Sequence, residues 1–192
     1  MDYIESREFS DIRLSGGTVE NRSFTDCVFT DCRIENVTFR NCAFRDCVFN
    51  SCSVRNIRSD VSLLKGAEFT GCRLFGMNFS ELGGGGPFDE PLYRMQDSEL
   101  RYCYFINMEL KKFRFASNSF SDCEFSSCQM PGSDFSGCDL TATSFSGCDL
   151  RNCDFRRAAG YRIDIASNRL KDALFSLPEA VSLLAGLGIK VE

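Results

Sequence analysis

The sequence contains no histidine and no tryptophan, and only 4 of its 192 residues are proline. Without histidine the commonest metal ligand is missing, and the usual zinc sets reduce to four cysteines. Cysteine is plentiful at twelve, yet no CxxC pair occurs. That removes the spacing on which zinc ribbons and thioredoxin-like sites rely. No phosphate loop and no activated-nucleophile pattern is present, so neither catalysis nor a cofactor is expected. No apolar run approaches the ~20 residues of a membrane span. The opening residues, MDYIESREF, have neither a basic n-region nor an apolar h-region, so no signal peptide is expected and a cytoplasmic location is. A formal net charge of −5 repels nucleic acid, so direct DNA or RNA binding is not expected either.

What is present is a period of five. From Phe24 the pattern runs Phe29, Ile34, Phe39, Phe44 and Phe49, and it extends back to Phe9, Leu14 and Val19. Forward it reads Val54, Leu64, Phe69, Leu74 and Phe79, with Ser59 the one lapse. A helix repeats at about 3.6 and a strand at 2, so neither alone has this period. The chain must turn a corner every five residues. We call the large apolar position the centre. The cysteines test this register independently: all twelve lie two residues before a centre. The residue two after the centre is often Asp or Asn (Asp26, Asp31, Asn36, Asn41, Asp46, Asn56), as a turn requires.

The register breaks at residues 83–94, GGGGPFDEPLYR, and resumes one residue out of phase at Met95. Four glycines and two prolines cannot continue a ladder. The expectation is a loop presenting Phe88, Asp89, Glu90, Leu92, Tyr93 and Arg94 to a partner, the alternative being that Phe88 and Leu92 fold back onto the coil. The second segment runs through Leu100, Phe105, Leu110, Phe115, Phe120, Phe125, Met130, Phe135, Leu140, Phe145, Leu150 and Phe155. Ile165, Leu170 and Phe175 keep its phase, with Gly160 a lapse. This divides the chain into a polar lead at 1–8, a repeat region at 9–175 interrupted at 83–94, and a distinct tail at 176–192.

Cys138-Asp139-Leu140, Cys148-Asp149-Leu150 and Cys153-Asp154-Phe155 resemble the A/C-D/N-L/F unit of the pentapeptide-repeat family. The resemblance covers about 9–175. It implies an all-β, right-handed quadrilateral β-helix with four pentapeptides to a coil, ending in a short helix and strand. Residues twenty apart, such as Cys27 and Cys47, then stack on successive coils at ~4.8 Å. Each Cys reads as a small buried apolar side chain, reduced and inert. Acids precede many centres in the second segment, and Glu124, Asp134, Asp139, Asp149 and Asp154 read as an acidic surface. Asp134 and Asp154 should stack and repel.

The tail, SLPEAVSLLAGLGIKVE, reads as a short helix and a terminal strand. Ser176 and Pro178 suit its start and Gly188 its end. Val181, Leu183, Leu184, Leu187 and Ile189 are too apolar to leave in water, which favours two-fold pairing into a homodimer. Two segments, one loop and such a tail resemble the topoisomerase-protecting branch of the family: the Qnr and MfpA proteins and, most of all, McbG- and AlbG-type immunity proteins. The resemblance implies a DNA mimic that binds DNA gyrase or topoisomerase IV. There it relieves quinolone or peptide-toxin poisoning, as antibiotic resistance or self-immunity. The alternative is a non-enzymatic interaction scaffold for another partner.

Overall fold

The structure, a computed structural model, describes residues 1–83 and 90–189, with the side chains of 185–187 excepted. The chain forms an all-β parallel solenoid built of two compact units, Met1–Glu99 and Leu100–Glu192. In unit 1 each coil has four short faces. Face 1 stacks Asp2–Glu5, Arg22–Thr25, Ala43–Arg45 and Leu63–Lys65. Face 2 stacks Glu8–Ser10, Val28–Thr30, Val48–Asn50, Ala67–Thr70 and Leu92–Gln96. Face 3 holds Arg13–Ser15, Arg33–Glu35, Ser53–Arg55 and Arg73–Phe75, and face 4 holds Thr18–Glu20, Thr38–Arg40 and Arg58–Asp60. Every pairing is parallel, and Phe24 lies against Phe44 just as Phe29 lies against Phe49.

The corners explain the period. Asp11, Asn21, Asp26, Asp31, Asn36, Asn41, Asp46 and Asn56 all have φ between +48° and +57°. That left-handed conformation is costly for most L-residues and least so for Asn and Asp. In unit 2 the turns also close by hydrogen bonding: the Thr143 N–H donates to the Leu140 carbonyl at 2.8 Å, across Ala142 at φ +55°. A positive φ only at the third turn residue is the type II pattern.

Between corners the centres point inward and stack ring on ring. Phe105 and Phe125 lie 4.4 Å apart at an interplanar angle of 6°, and Phe135 and Phe155 lie 5.0 Å apart at 2°. Buried area is the main stabilising term in such a core.

The thiols do more than fill space. Their Sγ atoms reach the carbonyl of the centre residue 23 positions earlier: Cys128 to Phe105 at 3.1 Å, Cys138 to Phe115 at 3.0 Å, Cys153 to Met130 at 2.9 Å. Where the slot holds Ser62 or Asn168 the side chain again donates, to the Phe39 and Phe145 carbonyls at 2.8 Å each. Val37, Ala67 and Met77 fill the same slot, buried but without a donor, so burial is the common requirement and donation is added where the side chain allows it. All twelve thiols are free and buried. Burial pushes Cys47, Cys138 and Cys153 up to about 12, which removes thiolate character at neutral pH. We predict that Cys128→Ala costs about 1–3 kcal/mol, because a buried carbonyl loses its donor and a void opens. Cys128→Ser keeps the donor and melts closer to the parent. Equal melting temperatures for the two variants would remove the donor role.

Three sequence expectations change. Residues 1–8 are not a lead, because Asp2–Glu5 pairs with Arg22–Thr25 and Ile4 occupies a centre opposite Phe24. In the last coil Ile163, not Ile165, stands opposite Phe145. The chain there cuts one corner by two residues at Gly160 and restores them at Asp164–Asn168, so that Arg169 again faces Asp149. Gly160 is required at the shortened corner: its φ is +75°, and a Cβ would sit 2.9 Å from the Thr141 Cα. Finally, the tail helix, Glu179–Leu187, is a 3-10 helix. Of the expected terminal strand, residues 190–192 lie outside the described residues, and Ile189 is not in a strand.

Candidate partner-binding surface

The interruption starts at a 3-10 turn, Phe79–Glu81, capped by Asn78, whose side-chain oxygen accepts the Ser80 N–H at 3.2 Å. Leu82 is buried, and its carbonyl accepts the Leu64 N–H at 2.6 Å. Phe88 and Asp89 lie outside the described residues. The ladder resumes earlier than the sequence suggests. The carbonyls of Glu90 and Pro91 accept the N–H groups of Gly66 and Ala67 at 2.9 and 3.0 Å. Leu92 is buried in the core, not presented to solvent, because it pairs with Ala67 on face 2. Arg94 pairs with Glu68, so Tyr93 is an extra residue in a β-bulge. This bulge is where the phase slips by one. It throws Tyr93 outward, 72% exposed. The exposed part of the expected loop surface is thus Glu90, Tyr93 and Arg94.

The acids of the second segment hold its turns. Each carboxylate accepts the backbone N–H two residues on: Ser136 to Asp134 at 2.9 Å, Thr141 to Asp139 at 3.0 Å, Arg156 to Asp154 at 2.9 Å, and Arg151 to Asp149 at 3.3 Å. Asp134 and Asp154 do stack, but the Arg156 guanidinium donates to both oxygens of Asp154, which offsets the repulsion. Asp149 is buried and takes two bonds from Arg151, at 2.8 and 2.6 Å. Glu124 stands between Tyr104 and Ser144, away from any other acid in its column. These five residues do not form one acidic row.

Arg151 holds the Asp149 carboxyl below the usual carboxylate value, and Arg156 does the same for Asp154. A depressed folded value adds stability that is full above the unfolded value near 3.8 and is lost as pH falls through the folded one. We therefore expect Asp149→Asn to lower the melting temperature at pH 7 and to flatten its fall below pH 3.8. A parallel downward shift at every pH would refute the ionic role.

The negative charge sits elsewhere. Residues 100–192 carry 11 Lys or Arg and 11 Asp or Glu, so unit 2 is neutral. Residues 1–99 carry 11 and 16, a net −5. In unit 1 many arginines are tied up along the ladders. Arg40 bridges Glu20 and Asp60 at 2.5 and 2.7 Å, and Arg33 pairs with Glu35 at 2.9 Å. Asp26, Asp31 and Asp46 stand exposed on the two corners that flank face 2, without an ion pair among the described residues. Between those corners the face presents Ser10, Thr30, Asn50 and Thr70 in register. Sequence reasoning read these acids only as turn formers. Their second property, freedom from arginine, needed the three-dimensional pairing.

At the C-terminal end of unit 2 the 3-10 helix packs against Arg162–Ile163. Gly188 ends it at φ +67°. Val181 is 37% exposed and Ile189 is exposed, whereas Leu183 and Leu184 are partly buried; the Leu187 side chain lies outside the described residues. Leu177, 80% exposed, and Leu174 on the last strand are further apolar residues there that the sequence reading omitted. Leu177 directly precedes Pro178, a position with no repeat register to draw attention to it. Among the described residues no helix is long and apolar enough to cross a membrane, and no cluster of metal-ligating side chains forms.

Two family models match this chain. One, described as pentapeptide repeats in eight copies, matches residues 119–157; the other, a pentapeptide repeat region, matches 4–82. Together they span more than half of the sequence. No curated protein matches it. Among solved structures it is similar to trypsin-treated QnrB1, a plasmid-mediated fluoroquinolone resistance protein, in two forms. The first is 18% identical with a TM-score of 0.58, covering 96% of this chain and 100% of that one. The second is 20% identical with a TM-score of 0.57, covering 99% and 98%. At these identities the likeness establishes the fold.

Proposed function

The chain belongs to the pentapeptide-repeat family, and on that premise we propose that it binds a type II topoisomerase, DNA gyrase or topoisomerase IV, as a DNA mimic. Bound there, it protects the enzyme from a quinolone or a peptide toxin. The observation that carries this reading is the match to QnrB1 over nearly the whole of both chains, given what that protein confers. The charge pattern supports it in unit 1. Unpaired carboxylates on the corners of face 2 offer negative charge to a groove built for phosphates. Unit 2, neutral and with Asp149 and Asp154 tied to arginines, serves the complex through shape and through its tail. The exposed Leu177, Val181 and Ile189 pair two-fold to make a homodimer. Glu90, Tyr93 and Arg94 add a local contact beside the bulge, where an exposed aromatic is well placed to anchor a partner.

Gyrase supercoiling under an inhibitory dose of quinolone, and separately of a peptide gyrase toxin, tests the reading. Titrating this protein restores supercoiling against at least one of them. Unchanged inhibition by both would leave the scaffold reading in its place.

A further inference from the structure

Face 4 of unit 1 has one centre with no apolar body. Its sequence is Val19, Phe39, Ser59 and Phe79, and Ser59 pairs in register with Phe39. The Ser59 hydroxyl does not serve the interior. It donates to the Ser62 carbonyl at 3.1 Å and accepts the Ser62 N–H at 3.3 Å, which closes a local turn. Beside that layer lies a partly open cavity of about 50 Å³, whose wall includes Ile57 and Ser62 on either side of Ser59 in the chain. Its wall includes Phe39, Phe44, Val54, Phe69 and Leu82, the last at the root of the interruption.

We infer that this cavity is a binding site for one small, uncharged, apolar molecule of the size of xenon or a short alkane. Two magnitudes set the class. A water needs about 10–15 Å³ of such space and two to four polar partners. Here the space suffices, but the partners are missing. Among the described residues Ser62 is the one polar side chain in the wall, and its hydroxyl is already committed to the Cys42 N–H at 2.9 Å and the Phe39 carbonyl at 2.8 Å. An apolar void without polar partners stays dry, and its lining atoms lack dispersion contacts on one side. An apolar guest restores those contacts without losing hydrogen bonds of its own. The upper limit follows from cavities that admit benzene, which are about 150 Å³, so an aromatic ring is too large here.

Xenon is the probe. Methyl-labelled protein titrated with dissolved xenon shows saturable NMR shifts at Ile34, Val54, Leu64, Met77 and Leu82, and none at Ile163 in unit 2. Ser59→Leu fills the space, abolishes those shifts and raises the melting temperature. Ser59→Ala retains them, which controls for loss of the hydroxyl. The inference is overturned by a wild type that shows no saturable shift, and equally by Ser59→Leu protein that folds and still responds.

Discussion

Phe125→Asp unfolds unit 2. Phe125 is fully buried and stacks between Phe105 at 4.4 Å and Phe145 at 4.9 Å, with Phe115 and Phe135 edge-on at 5.6 Å. Removing such a ring costs about 3–5 kcal/mol. An unpaired carboxylate in its place adds several more, since the rings packed around it offer neither a cation nor a hydrogen-bond donor. Domain stabilities are only about 5–15 kcal/mol, so the sum approaches or exceeds what a unit this size has. The matched control is Ser127→Asp, two residues away at a corner with φ +55°, where Asp is a natural occupant. It adds the same charge outside and shifts stability by about 0.5 kcal/mol or less. Thermal unfolding followed by circular dichroism distinguishes them. A cooperative, near-parental melt for Phe125→Asp would mean that the ring column does not hold the unit together.

The second large effect is on assembly. Leu177→Glu combined with Val181→Glu is expected to convert the proposed dimer into a monomer. Leu177 is 80% exposed and Val181 37% exposed in the single chain. In a two-fold pairing each substitution acts twice. Burying what remains exposed of the four side chains contributes roughly 4 kcal/mol, which is about three orders of magnitude in Kd. Light scattering of the parent at micromolar concentration gives twice the chain mass, and of the variant the chain mass. Protection of the topoisomerase falls with it. A parent that is monomeric at that concentration would leave the helix as a simple cover for the last coil.

How far the sequence could be read follows from what repeats. The period of five, the inward Phe column and the Cys slot were legible because each is enforced at nearly every coil by the same packing. The exceptions are single events. Ile4 was hidden among polar neighbours, and only its pairing with Phe24 makes it a centre. The exchange of Ile165 for Ile163 rests on two compensating corners, which leave the later register intact. Leu92 was assigned to a loop because four glycines and two prolines precede it, yet a bulge at Tyr93 absorbs the slip and returns Leu92 to the core. The acids were read for charge when their geometry is local. The signal was present, since Asp149 and Asp154 are each followed two residues later by arginine. Charge balance between units was legible too, but its meaning depended on which carboxylates lack a partner across coils.

On the proposed function this chain occupies a DNA-binding surface of a type II topoisomerase. The most direct measurement is equilibrium binding of the purified protein to DNA gyrase, with linear duplex DNA as competitor. The expected result is a saturable complex that DNA displaces and that salt weakens, as it does contacts between carboxylates and cations. A complex that forms equally well on DNA-saturated gyrase, or no complex at micromolar concentrations, would contradict it.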